Sequence, residues 1–239
     1  MPSSGMEAAE MRPRMSTRQA RLWATSGWLF VALVIASLVI NTALASAPYP
    51  SPFAPVEEIE RYFAANSGAV RASGFLGVLA ATSLLAFVAF LASTLRAATG
   101  DDGPLPSLAL GGGLLASGSF LLSGLLGWVL ARAATVEAPA VLRALHELTF
   151  LAGGPAHVLS LGVFVGASSI ATLGRSQLPR WLSWLGVAAA SLSLMSAAAL
   201  LWTPATVLLP LGRLLAAIWI IGIGIVLARR SPVTEAGRA

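Results

Sequence analysis

Residues 71–96, RASGFLGVLAATSLLAFVAFLASTLR, run from Arg71 to Arg96 with no charged residue in between. A hydrocarbon layer about 30 Å thick is crossed by about 20 apolar residues at 1.5 Å rise per residue, so this stretch is long enough to span a bilayer as a helix, with a cation at each mouth. Five further stretches repeat the pattern, near 22–47, 108–131, 148–174, 181–202 and 208–228. The reading is an all-α, polytopic membrane helical bundle of six transmembrane helices.

Composition agrees. Hydrophobic residues make up 56% of the 239 and charged residues only 10%, against about 25% charged in soluble domains. The net charge of +5 does not point to nucleic acid, because the basic residues are scattered between spans and form no basic face interleaved with aromatics. Every one of the 15 basic residues is Arg, a hint of G and C codon bias and so of a bacterial cell membrane. With no Cys, disulfides and thiolate metal sites are excluded.

Orientation can be read from the loops, since cytoplasmic loops keep the excess of positive charge. Arg12, Arg14, Arg18, Arg21, Arg96, Arg175, Arg180, Arg229, Arg230 and Arg238 fall on the side of the termini; Arg61, Arg71, Arg132, Arg143 and Arg213 fall on the other. Both termini are therefore expected in the cytoplasm, with disordered tails over 1–21 and 229–239 around a six-helix domain over 22–228. The first span also resembles a signal peptide ending in Ala45-Ser46-Ala47, but Pro48 after the cleavage point and the length of the apolar run favour a retained span.

The connection over 48–71 is the longest on the outer side. Tyr49-Pro50-Ser51-Pro52-Phe53-Ala54-Pro55 is expected to be extended, because each Pro biases its predecessor away from helix. Pro55 can then open a helix with Glu57 and Glu58 in its first turn, where the dipole favours anions, and Val56, Ile59, Tyr62 and Phe63 on one face. The plain reading is a solvated connecting helix; the sharper one is a lid over a lipid-facing pocket.

The fourth span differs from the rest. Arg143, His146, Glu147, Gly153-Gly154-Pro155 and His157 sit within or beside it. Pro155 removes a backbone donor, and the Gly pair lowers the cost of bending, so the helix is expected to break at 153–155 and expose carbonyls. Ionisable groups at membrane depth are candidates for function, and Arg143, His146, Glu147, His157 and Arg213 are the ligand-pocket candidates. The structural alternatives are a Glu147–Arg213 ion pair, an Arg143 side chain reaching for the interface, and a neutral His157 bonded to a carbonyl freed at the break.

Metal, cofactor and protease readings fail on spacing. His146 and His157 stand 11 residues apart, about 16 Å along a helix, too far to clasp one haem, and His146-Glu147 lacks the second His one turn on that a zinc site requires. Ser117, Ser119 and Ser123 lie in no rhomboid-type Gly-x-Ser-Gly, and Glu57-Glu58-Ile59-Glu60-Arg61 has too short a gap for a CAAX-type protease. No metal and no cofactor is expected. The glycines Gly111-Gly112-Gly113, Gly118, Gly124 and Gly127, with Gly222 and Gly224, offer surfaces for close helix approach, and Trp23, Trp28, Trp128, Trp181, Trp184 and Trp202 fit interfacial belts. A faint likeness between 76–81 and 185–190 would suit an inverted repeat.

Phe150-Leu151-Ala152-Gly153-Gly154-Pro155-Ala156-His157-Val158, then Leu178-Pro179-Arg180-Trp181-Leu182-Ser183-Trp184-Leu185-Gly186, then Leu208-Leu209-Pro210-Leu211-Gly212-Arg213 resemble a widespread actinobacterial family of multi-pass membrane proteins of unknown function. The resemblance implies architecture only. Three functions stay open: a non-enzymatic interaction or regulatory protein, which the residues favour; a small transporter or lipid-binding protein with a cavity between spans four and six; and an enzyme on a hydrophobic, isoprenoid-like substrate. Against the enzyme, Glu147 as its acid would be held ionised by neighbouring Arg. Expected partners are membrane lipids and either a second copy or another membrane protein.

Overall fold

The computed structural model describes residues 17–99, 103–133, 138–173 and 178–229. Arg12, Arg14, Arg175, Arg230 and Arg238 of the charge count, and the tails over 1–16 and 230–239, lie outside them. Among the described residues there is no strand, and six helices are long and apolar enough to cross a membrane. They are α1 (Thr17–Leu44), α3 (Ser67–Thr99), α4 (Pro104–Ala133), a fourth span made of α5 (Pro139–Leu151) and α6 (His157–Thr172), α7 (Arg180–Met195) and α8 (Leu208–Arg229). The short α2 (Val56–Ala65) lies in the first connection, and two 3-10 turns, Ser196–Leu200 and Thr203–Val207, join α7 to α8.

The helices outrun the apolar stretches. α3 starts at Ser67 rather than 72, and the fourth span begins at Pro139 rather than 148, because helical hydrogen bonding continues where the chain leaves the hydrocarbon. Helix α1 likewise begins at Thr17, inside the segment assigned from sequence to the tail.

Each span packs on its neighbours in sequence, and α1 meets α8 to close the ring. The share of the apolar window that is buried is 50% for α3 and for the fourth span against 17% for α1, so α1 is mostly lipid-facing while the other two form the centre. Phe87, Phe164 and Trp219 meet edge-to-face there, with ring centroids 6.3 and 6.0 Å apart, in a core with Leu84, Leu161 and Ile220. Trp28 donates from Nε1 to the Ile221 carbonyl at 3.2 Å, tying α1 to α8.

Small residues set one close approach. A Cβ on Gly74 would lie 2.8 Å from the Gly124 carbonyl, and one on Gly124 would lie 2.9 Å from the Gly74 carbonyl, so α3 and α4 touch backbone to backbone. Gly112, Gly113, Gly222 and Gly224 also face close neighbours, but Gly111, Gly118 and Gly127 have open space where a Cβ would stand. For those three the close-approach reading is corrected: nothing lies within 4 Å of an added Cβ, although Gly127 is itself buried.

The first connection folds onto the bundle. Its start is extended, but Ala54 donates to the Ser51 carbonyl at 3.0 Å and Phe53 to Ser51 Oγ at 3.2 Å, so Pro52-Phe53 turns instead of running straight. Pro55 then caps α2 with φ −56° and ψ 147°, and Glu57 and Glu58 occupy the first turn as expected. Ile59 and Phe63 are fully buried, against Leu130 and Leu142 among others, so α2 is a packed cap on the bundle and not a solvated connector. Asn66 secures it: its Nδ2 donates to the Tyr62 carbonyl at 2.9 Å, while its Oδ1 accepts the Ser46 N–H at 2.7 Å.

Candidate functional site

The expected break in the fourth span is a widening of the helix. Residues Ala152–Ala156 form one π-helical turn, and the rod continues from Pro139 to Thr172. Pro155 has no N–H for the ordinary ladder, and the chain absorbs the loss by taking in one extra residue, with the His157 N–H bonding to Ala152 and Gly154. That diverts the α-helical partner of the Gly153 carbonyl. Arg213, reaching across from α8, donates to this oxygen through Nη2. The π turn also rotates the helix beyond it by about 100°, so His146 and His157 do not share one stripe.

Three supports hold the turn. Ser123 of α4 donates from Oγ to the Thr149 carbonyl at 3.0 Å and lies so close to Gly153 that a Cβ there would run into its side chain. Phe120, one turn earlier, lies under the Arg213 guanidinium, 5.8 Å from ring centroid to Cζ, within cation–π range. His157 sits behind Phe120, ring centroids 4.7 Å apart, and is fully buried; its Nδ1 donates to the Ala116 carbonyl at 2.9 Å. The carbonyl that holds His157 therefore belongs to α4 and not to the freed segment, because Arg213 has taken the latter.

The Glu147–Arg213 ion pair, one of the structural alternatives, is not formed. Glu147 accepts from Arg143 Nε at 3.0 Å, one turn away on the same helix, and both side chains are close to half exposed. Rotation about the helix axis decides this: Glu147 points outward, and Arg213 has no carboxylate partner among the described residues. His146, one residue before Glu147, faces inward; it is 1% exposed, its Nε2 lies 3.4 Å from the Ser51 carbonyl, and its ring is 5.5 Å from Tyr49 and 5.4 Å from Phe63. The two imidazoles occupy separate surroundings.

Between the fourth span and α8 lies a cleft of about 380 Å³. Its floor and walls are Phe120, Ser123, Thr149, Phe150, Gly153, Gly154, Leu209 and Arg213, and Tyr49, Pro50 and Pro52 of the first connection form its rim. Of the residues singled out from sequence, His146, Gly153, Gly154 and Arg213 line it; Arg143, Glu147, Pro155 and His157 do not. Phe120, Thr149 and Thr206 escaped the sequence because apolar and hydroxyl residues are the ordinary content of a span. Only Leu208–Arg213, with Pro210 in the first turn of α8, carried a visible signal.

The rim is anchored by α2. Tyr62 is 4% exposed and donates from its hydroxyl to Asn41 Oδ1 at 3.4 Å; burial pushes its phenol up from the ordinary value, with the Asn41 bond pulling the other way. Tyr49 packs edge-on against Tyr62 and Phe63 at 5.3 and 5.7 Å, so the cap that holds α2 also fixes the rim.

Comparison with protein-family models, with curated proteins and with solved structures returns no match for this chain. The chemistry of the cleft therefore rests on its own geometry.

Proposed function

We propose that the protein is a lipid-binding or small transport protein of the bacterial cell membrane, holding an amphiphile in the cleft between its fourth span and α8. The observation that carries this reading is a mostly apolar recess with a cation in its wall, at the depth of a membrane span. A cation in hydrocarbon costs about 2.5–3.5 kcal/mol on insertion scales, so such a group is by default a candidate for a ligand or ion pathway. A recess of this size lies within the roughly 300–1,000 Å³ of small-molecule sites.

The Arg distribution supports cytoplasmic termini, which turns the rim of Tyr49 and Pro50 toward the outside. The cleft shifts the weight from the interaction or regulatory role that the sequence favours toward ligand binding, and the actinobacterial resemblance is compatible with either. An enzymatic role gains no acid here, since Glu147 stands outside the cleft beside Arg143.

The experiment is lipid extraction and mass spectrometry of purified protein. Thr206 lines the cleft, and its hydroxyl bonds only its own turn, to the Thr203 carbonyl at 2.8 Å. Thr206→Trp should fill the recess and remove a co-purifying amphiphile that the wild type and Thr206→Ala retain. An identical lipid complement in all three proteins contradicts the reading.

A further inference from the structure

The donors of the cleft narrow what it can hold. Tyr49 carries its hydroxyl on the rim, and the other three hydroxyl residues of the lining direct their hydrogens to backbone carbonyls: Ser123 to Thr149, Thr149 to Leu145 at 2.7 Å, and Thr206 to Thr203. Those three present only lone pairs to a ligand. Pro50, Pro52 and Pro210 bring no N–H, and among the described residues no Asp or Glu lines the space and Arg213 is the one cation of the lining. One of its five N–H groups is engaged by Gly153 and its Nε is buried without a partner, so most of its donor capacity remains for something else.

A partly buried charge that lacks a counter-charge is poorly stabilised by one carbonyl and one ring, because a low-dielectric surrounding strengthens its pull on any anion that arrives. The planar fork of a guanidinium fits carboxylate and phosphate oxygens. We infer that the ligand of this cleft carries a compact anionic head, a carboxylate or a phosphate, seated on Arg213 with its apolar part along Phe120, Phe150 and Leu209. The inference rests on the cleft being the proposed amphiphile site. Arg213 thus has two jobs, closing the π turn through Gly153 and selecting the head.

The test uses the full-length protein in nanodiscs of zwitterionic phosphatidylcholine and four probes with twelve-carbon chains: laurate, dodecyl phosphate, dodecyltrimethylammonium and dodecyl maltoside. At least one of the anions should bind about tenfold or more tightly than both the cation and the neutral probe, as a charge-assisted contact provides. Comparison of laurate with dodecyl phosphate then distinguishes a carboxylate head from a phosphate head. The preference should vanish in Arg213→Gln, persist in Arg213→Lys, and be abolished with all cleft binding in Thr206→Trp.

If the neutral or cationic probe binds as tightly as both anions, or Arg213→Gln keeps the preference, the inference is overturned while the cleft still stands as an amphiphile site. If no probe binds in a way that Thr206→Trp removes, the cleft reading fails and takes the inference with it. The comparison of probes on the unaltered chain, with Thr206→Trp as control, decides the question even where Arg213→Gln does not fold.

Discussion

Arg213 of α8 donates a hydrogen bond to the carbonyl oxygen of Gly153, whose α-helical partner, the His157 N–H, is diverted by the π turn. One side chain therefore meets the backbone acceptor that Pro155 helped to free, and it does so from the wall of the cleft. The arrangement links the local chemistry of Gly-Gly-Pro to the packing of two distant spans.

The first expectation concerns Arg213 and Glu147. Arg213→Gln should lower stability by about 1–3 kcal/mol, because a charged hydrogen bond is lost and a buried carbonyl goes unmet. Glu147→Gln should cost at most about 0.5 kcal/mol, the worth of an exposed pair one turn apart on a helix. The two should add within about 0.5 kcal/mol in a double-mutant cycle read by thermal unfolding in detergent. A coupling above about 1 kcal/mol would place Glu147 against Arg213 after all.

The second concerns Gly153 and Ser123. Gly153→Ala should destabilise by about 1–3 kcal/mol, since its Cβ meets the Ser123 side chain in a packed helix contact. Ser123→Ala removes the nearest obstacle, so the double variant should be more stable than the sum of the singles implies. Additive losses would show that the contact is not what makes Gly153 necessary.

The third sets Gly74 against Gly118. Gly74→Ala forces a Cβ onto the Gly124 carbonyl, and backbone cannot step aside, so it should also cost about 1–3 kcal/mol. Gly118→Ala enters open space and should be neutral or slightly stabilising. Similar melting temperatures for the two variants would contradict the close approach of α3 and α4.

The fourth uses pH. Burial raises the Tyr62 phenol in the folded protein. A group whose folded pKa lies above its unfolded value contributes stability that is complete below the unfolded pKa of about 10 and is lost as pH rises through the folded one. Melting temperature should therefore fall above about pH 10 in the wild type, and fall less steeply in Tyr62→Phe. Parallel alkaline profiles would show that Tyr62 does not titrate against the fold.

The fold was legible because a bilayer imposes a length and a polarity that few sequences meet by accident. Arg71 and Arg96 bracket a span by themselves, and no tertiary contact is needed to see it. Helix ends were less legible, since Arg143 and Glu147 are as much at home on an exposed helical turn as in a loop. Pro155 announced a disturbance, because a missing N–H is a property of one residue. Whether the helix would kink or widen depended on Ser123 and Arg213, which arrive from other spans. The Glu147–Arg213 pair failed for a related reason: opposite charges at a similar depth attract only if both helices turn them inward, and Glu147 turns out. Phe120 gave no sign in the sequence, where one more aromatic in a span means little.

The most direct measurement is photo-crosslinking in native-composition membranes with a diazirine-bearing fatty acid, mapped by peptide mass spectrometry. An amphiphile held in the cleft gives adducts concentrated on Phe120, Phe150 and Leu209, competed by unlabelled laurate and lost in Thr206→Trp. Adducts spread over the exposed faces of α1 and α7, around residues such as Leu38, Trp181 and Trp184, and unchanged by Thr206→Trp, would contradict a ligand site between the fourth span and α8.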